Sequence, residues 1–90
     1  MDLAKVAAAL ADPVRIAVLS LCAKPPEGVC VCEFAQHLHI SQPRASYHLR
    51  ILREAGLVIE RPRGKWTYYA VAKDQVRAFC RTLMTAAGIR

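Results

Sequence analysis

Two helical patterns separated by a short polar turn lie in the middle of the chain. Apolar residues recur at helical spacing from Cys32 to His39, which predicts a helix of about two turns. Ser41 is suited to cap a second helix, and Pro43 lies early enough in it for its missing N–H to cost nothing. Gly56 is suited to end that helix. Two helices joined by so short a turn form a helix-turn-helix unit.

Two strand patterns follow this unit directly. Residues Leu57 to Arg61 and Trp66 to Val71 are rich in Val, Ile, Thr and aromatic side chains, and they flank the turn Pro62-Arg63-Gly64-Lys65. A hairpin in this place is the wing of a winged helix-turn-helix, and its tip is basic. The predicted fold is therefore mostly α with a β-hairpin wing, in one domain over residues 1–90.

Further helices are predicted on both sides of this unit. An apolar pattern over the first ten residues indicates one helix, and Asp12-Pro13 ends it and begins a second that runs to about Ala23. The stretch from Lys24 through Pro25, Pro26 and Glu27 to Gly28 predicts a loop. A last helix is expected from about Asp74 to Ala87.

The first and last helices carry more apolar surface than one small core requires. A chain of 90 residues leaves much of its apolar surface exposed unless it gains a partner. We therefore expect a homodimer that forms through these two helices. The expected interface residues are Leu3, Val6, Leu10, Val76, Phe79, Leu83 and Met84.

Charge and cysteine content narrow the class of partner. Thirteen Lys and Arg against seven Asp and Glu give a net charge of +6, which favours a polyanion. No apolar run reaches the length of a membrane span and the first residues lack a signal-peptide pattern, so we expect a cytoplasmic protein. In a reducing cytosol the four cysteines are not expected to form a structural disulfide framework.

The outer face of the second helix and the hairpin tip are expected to contact double-stranded operator DNA, because a major groove admits one helix. The predicted contacts are Ser41, Gln42, Arg44, Ser46, Tyr47, His48, Arg50, Arg63 and Lys65. Gln42 can pair with adenine and Arg44 with guanine or a phosphate, whereas the basic tip can reach the backbone or the minor groove. Trp66, Tyr68 and Tyr69 could stack on bases, but alternating aromatic residues in a hairpin are expected to pack instead.

A set of motifs carries a family resemblance over nearly the whole chain. They are Ala11-Asp12-Pro13-Val14-Arg15, Val29-Cys30-Val31-Cys32-Glu33, Ser41-Gln42-Pro43-Arg44-Ala45-Ser46-Tyr47-His48-Leu49, Leu52-Arg53-Glu54-Ala55-Gly56-Leu57-Val58 and Gly64-Lys65-Trp66-Thr67-Tyr68-Tyr69. With these motifs the sequence resembles the ArsR-type family of bacterial metal- and arsenic-responsive repressors. The resemblance implies a homodimer of winged helix-turn-helix subunits whose ligand releases DNA.

Cys30 and Cys32 are the predicted metal ligands. Their Cys-Val-Cys motif resembles the thiolate site of the arsenite, antimonite, cadmium and lead sensors of that family, although Ala35 stands where the best-known arsenite pattern has a third cysteine. Cys22 or Cys80 would supply a third thiol, and the sequence leaves the choice open. Thiolates with no adjacent carboxylate shell suit trivalent arsenic or another soft ion.

The spacing of the two cysteines constrains their conformation. Residues two apart on a helix point about 200° away from each other, so Cys30 and Cys32 cannot meet on one ion if both are helical. Either Cys30 lies in a preceding extended segment or the helix start distorts on binding. His37 and His39 flank the same helix and are expected to be surface residues.

These observations predict a repressor that needs no cofactor to bind DNA and releases its operator when As(III) or Sb(III) binds the thiolates. Two alternatives keep the same fold. In one the inducer is a soft divalent metal such as Cd, Pb or Zn, and in the other the cysteines form a redox or persulfide switch, with Cys22 paired to Cys80. No His or acid is spaced to activate a cysteine, so we do not expect an enzyme.

Overall fold

The computed structural model describes residues 1–25 and 28–90, and within them it contains five helices and a small antiparallel sheet. The elements in chain order are α1 (Leu3–Leu10), α2 (Pro13–Cys22), β1 (Val29–Cys30), α3 (Val31–Leu38), α4 (Gln42–Glu54), β2 (Val58–Arg63), β3 (Trp66–Val71) and α5 (Lys73–Ala86). The predicted winged helix-turn-helix is confirmed, with α3 and α4 as its helices and β2 and β3 as its wing. Pro26 and Glu27, in the predicted loop, lie outside the described residues.

The helix starts follow the side chains that cap them. Asp12 accepts a hydrogen bond from the backbone N–H of Val14 at 2.7 Å, and Ser41 accepts one from that of Arg44 at 3.2 Å. Each cap satisfies one of the backbone donors that the first helical turn leaves without a partner, and proline follows each cap within two residues. These contacts fix where α2 and α4 begin.

The sheet has the strand order β1-β3-β2, and β1 was not predicted. It contains only Val29 and Cys30, which pair with Tyr69 and Tyr68 of β3, and two residues are too few to give an alternating pattern. Gly28, just before β1, has φ of +90°, and a Cβ there would lie 1.9 Å from the carbonyl oxygen of Tyr69. Only glycine lets the chain approach β3 this closely.

The predicted end of the first wing strand was wrong. β2 continues through Pro62 to Arg63, which pairs with Trp66, so only Gly64 and Lys65 remain for the turn. Pro62 is tolerated because β2 is an edge strand and its missing N–H removes no bond to a further strand.

The core lies between α2, α3, α4 and the inner face of the sheet. Its largest fully buried side chains are Phe34, Leu49, Leu52, Leu57, Val18, Val58 and Cys22. α5 has no buried residue and leaves Leu83 at 50% and Met84 at 40% exposure, whereas Val76 and Phe79 pack against the core. Val6 of α1 is only 4% exposed, so it belongs to this core rather than to an available partner surface.

Candidate nucleic-acid interface and thiol pair

The outer face of α4 presents most of the side chains predicted to contact DNA. Ser41, Gln42, Arg44, Ser46, Tyr47 and Arg50 are all exposed. The guanidinium carbon of Arg50 lies 5.7 Å from the centre of the Tyr47 ring, a cation–π contact that limits the freedom of both side chains. Ala45, Leu49 and Leu52 hold the opposite face of the helix in the core.

The wing places further basic groups at its tip. Arg63 and Lys65 are exposed, and Gly64 between them has φ of +62°, which suits a two-residue hairpin turn. Trp66 lies opposite Arg63 and is 53% exposed, so the expectation that it packs was wrong, whereas Tyr68 and Tyr69 are half-buried and Tyr69 packs against the core. The reason is the position of Trp66, because the end of a two-stranded wing reaches beyond the core.

His48 differs from the prediction. Its side chain is 3% exposed and points into the fold, where Nδ1 lies 3.2 Å from an Nη of Arg15. Arg15 also donates from Nε to the carbonyl of Ala9 at 2.7 Å, and its guanidinium lies 3.6 Å from the Asp12 carboxylate. His48 therefore joins α4 to the junction of α1 and α2, and it is not available to a base.

Cys30 and Cys32 are brought together at the start of α3. Cys30 has extended backbone angles, φ −86° and ψ 163°, as the last residue of β1 and the N-cap of α3. Its Sγ lies 2.9 Å from that of Cys32. Of the two conformations that the spacing allowed, the structure has the one with Cys30 in the extended segment. Cys30 is 7% exposed, and Cys32 is half-buried.

A carboxylate adjoins this thiol pair, which the sequence reasoning missed. Glu33 Oε1 accepts hydrogen bonds from the backbone N–H and from the Sγ of Cys30, each at 3.4 Å. A signal for it existed, because an acidic residue in the third helical position is half of a capping box. Burial first, and then the hydrogen bond with Cys32, raises the pKa of Cys30 to about 11.

The other two cysteines lie apart from this pair. Cys22 is 2% exposed at the end of α2, where burial raises its pKa to about 12, and Cys80 is exposed on α5. Residues 1–25 and 28–90 contain no group of three or more His, Cys, Asp or Glu side chains that could hold a metal ion within one subunit. The choice between Cys22 and Cys80 as a third ligand stays open.

The thiol pair adjoins both elements of the DNA-reading unit. Cys30 pairs across the sheet with Tyr68 of β3, and β3 begins at Trp66 beside the wing tip. Cys30 also begins α3, which packs directly against α4. Cys30 is thus joined to the wing through β3 and to the helix that presents Arg44 through α3.

No helix within the described parts of the chain has the length and apolar character needed to span a membrane. The fold and the exposed basic surface define a winged helix-turn-helix DNA-binding protein. Residues 12–60 match the family model described as bacterial regulatory protein, arsR family. The chain belongs to this family.

Two known regulators illustrate the similarity in sequence. The chain is 41% identical over 63 residues to the arsenical resistance operon repressor of Escherichia coli, covering 70% of this chain and 53% of the relative. It is 36% identical over 77 residues to a cadmium resistance transcriptional regulatory protein CadC homolog of Staphylococcus aureus, covering 86% and 63%. This chain thus spans between half and two thirds of the length of these two relatives.

Among solved structures, the chain is similar to a homodimeric winged helix-turn-helix DNA-binding domain from Mycobacterium bovis, described as a possible ArsR-family transcriptional regulator. The TM-score is 0.74 at 32% identity, over 93% of this chain and 77% of the other. The similarity extends over the fold as a whole, beyond the helix-turn-helix.

Proposed function

We propose that this chain is a homodimeric transcriptional repressor that releases operator DNA when a soft ion bridges Cys30 and Cys32. The observation that carries the proposal is the contact of their sulfur atoms, 2.9 Å apart, at the N-cap of the first helix of the DNA-reading unit. Thiolates favour soft ions over magnesium or calcium.

DNA binding is supported by the charge and exposure of the recognition surface. The exposed side chains of α4 include Gln42 and Arg44, and the wing tip adds Lys65. With a net charge of +6, several phosphates can be neutralised at once, and the affinity should therefore fall steeply as salt rises.

Dimerisation is supported by the surface of α5 and by the M. bovis structure. Leu83 and Met84 of α5, together with Ile89 just beyond this helix, are between 40% and 56% exposed. Exposed apolar groups on the last helix are stabilised if a second subunit covers them. A dimer also presents two recognition helices, as two half-sites of an operator require.

Arsenite and antimonite are the proposed inducers, and soft divalent metals are the alternative. The names of the E. coli and S. aureus relatives refer to arsenical and cadmium resistance respectively. Trivalent arsenic and Cd²⁺ both suit a pair of thiolates. Glu33 adds an oxygen donor 3.4 Å from Cys30 Sγ, and a divalent metal would accept this oxygen ligand more readily than arsenic would.

Ion capture changes the start of α3. Cys30 and Cys32 would supply two thiolates to the ion, and because the ion would lie between their sulfur atoms, these atoms would have to move apart from their present contact of 2.9 Å. The deprotonated Cys30 would then lose its hydrogen bond to the Glu33 carboxylate, and the junction of β1 and α3 would shift. A coupling of about 1–3 kcal/mol between ion and operator would suffice for release.

The proposal is tested by DNA-binding titration with a duplex selected from random sequence for affinity to the protein. Arsenite, antimonite, cadmium, lead and zinc are added in turn while fluorescence anisotropy reports bound DNA. We expect Cys30→Ser and Cys32→Ser to bind the duplex as the parent does and to retain it when the inducing ion is added. Full release from both variants would contradict the assignment of the ion site.

Two further sets of variants complete the experiment. Cys22→Ser and Cys80→Ser identify the third thiol, because the variant that also loses release has lost that ligand. Arg44→Ala is the matched control, since it should weaken DNA binding and leave the fold-change caused by the ion unaltered.

A further inference from the structure

We propose that Cys30 and Cys32 also form a redox site, in which mild oxidation joins them in a disulfide and closes the ion site. The structure of the pair carries this inference, and only its consequence for induction rests on the proposed function. The distance of 2.9 Å between the sulfur atoms exceeds a disulfide bond of about 2.05 Å by about 0.9 Å. Side-chain rotation in the extended residue Cys30 can provide such a shift.

The pair differs from the other thiols in the contact between its sulfur atoms. Within residues 1–25 and 28–90, neither Cys22 nor Cys80 makes a hydrogen bond to another sulfur atom, and one is buried while the other is exposed. The earlier hypothesis of a switch that pairs Cys22 with Cys80 therefore lacks the thiol contact that Cys30 and Cys32 have.

Cys30 and Cys32 differ in their exposure to solvent, and this difference determines which of them reacts first with an oxidant. Cys32 is half-buried and can meet an oxidant, whereas Cys30 is 7% exposed. With a low-molecular-weight disulfide such as oxidised glutathione, the Cys32 thiolate attacks one sulfur atom, forms a mixed disulfide and releases one glutathione thiolate, which takes up the proton that Cys32 lost.

Cys30 then completes the reaction. Its thiol passes a proton to the Glu33 carboxylate, 3.4 Å away, as its sulfur attacks Cys32 Sγ and releases the second glutathione thiolate. That thiolate receives the proton from Glu33. Two protein thiols lose two electrons in all, and one glutathione disulfide becomes two glutathione thiols.

Oxidation and ion capture use the same sulfur atoms and so exclude each other. A thiolate that has entered a disulfide has lost the charge that makes it a ligand for a soft ion. The oxidised protein cannot bind arsenite, and reduction restores binding. Induction by the ion is thereby conditional on a reducing environment.

The test treats the full chain with oxidised glutathione, removes the oxidant and maps the cysteines by mass spectrometry. Cleavage after glutamate releases residues 28–33, which contain Cys30 and Cys32 alone among the cysteines. We expect this peptide to lose two hydrogen atoms and the free thiols to fall from four to two. Arsenite retained after desalting should fall to background and return after dithiothreitol.

A variant with Cys22→Ser and Cys80→Ser is the matched control and should close the same bond. A bridge that involves Cys22, Cys80 or a second chain would overturn the inference, and so would a mixed glutathione adduct that never resolves. Arsenite binding to the oxidised protein at the reduced level would also overturn it. The proposed function is tested by a separate measurement. It fails if no ion releases the operator from the fully reduced protein, whatever the result of the oxidation experiment.

Discussion

His48 lies on the recognition helix, yet its side chain belongs to the interior. Arginine has only hydrogen-bond donors, so the contact of 3.2 Å with Arg15 requires an unprotonated Nδ1 and a neutral imidazole. Burial, together with the positive charges of Arg15 and Arg44, lowers the pKa of His48, while Asp12 acts in the opposite direction. Protonation would set two cations against each other at the point where α4 meets α1 and α2.

This contact predicts a loss of stability in mild acid. Because the folded pKa of His48 lies below the ordinary value of 6.5, its contribution is complete above that value and is lost as pH falls through the folded pKa. Urea unfolding at about pH 7.5 and about pH 5 should give a lower free energy of unfolding in acid.

His48→Asn serves as the comparison, since the amide keeps an acceptor near Nδ1 and does not titrate in this range. We expect its free energy of unfolding to fall less than that of the parent between the two pH values. An equal fall in both proteins would show that other groups cause the acid sensitivity.

The sequence contained a signal for the burial of His48. Ala45, His48, Leu49 and Leu52 stand at positions i, i+3, i+4 and i+7, which form one helix face. Polarity alone assigned His48 to the outside, and the partner that makes its burial tolerable comes from Arg15, 33 residues away. Such a long-range contact is not visible in local periodicity.

At the scale of the elements, the start of α3 depends on the short strand before it. β1 brings Cys30 against β3, and Gly28 permits that approach because its backbone lies where a Cβ would meet the carbonyl of Tyr69. The thiol pair thus depends on a residue that carries no functional group.

Gly28→Ala should damage both stability and ion binding. The added Cβ meets backbone at a positive φ, which should cost at least about 2 kcal/mol and displace β1 from β3. Gly88→Ala is the control, because its φ of +74° is also positive but no atom lies within 4 Å of the added Cβ. Urea unfolding and arsenite binding should separate the two variants, and equal effects would contradict this role of β1.

Sequence periodicity predicted the elements with strong patterns and missed the weak ones. α4 and β3 were predicted because capping residues, apolar spacing and strand-forming residues agree in them. β1 and the continuation of β2 through Pro62 depend on pairing with β3, which only the folded chain supplies. The spacing of the cysteines gave two conformations for the thiol site, and pairing with Tyr68 accounts for the one observed.

For the whole molecule, the proposed function makes assembly through α5 a condition for DNA binding. Leu83→Glu places a charge on its exposed apolar surface and should convert the protein to monomers with weakened operator binding. Light scattering after size-exclusion chromatography measures the mass. Ile59→Glu, on the 40% exposed outer face of β2, is the control and should stay dimeric. A dimeric Leu83→Glu protein would contradict the proposed interface.

Release of the operator by an ion requires that the thiol pair and the recognition surface are energetically coupled, and thermodynamic linkage tests this coupling directly. If arsenite weakens operator binding, the operator must weaken arsenite binding by the same factor. Calorimetric titration of arsenite into the free dimer and into the operator complex measures that factor. We predict an affinity about 5–150-fold lower in the complex. Equal arsenite affinities in the two titrations would contradict the coupling.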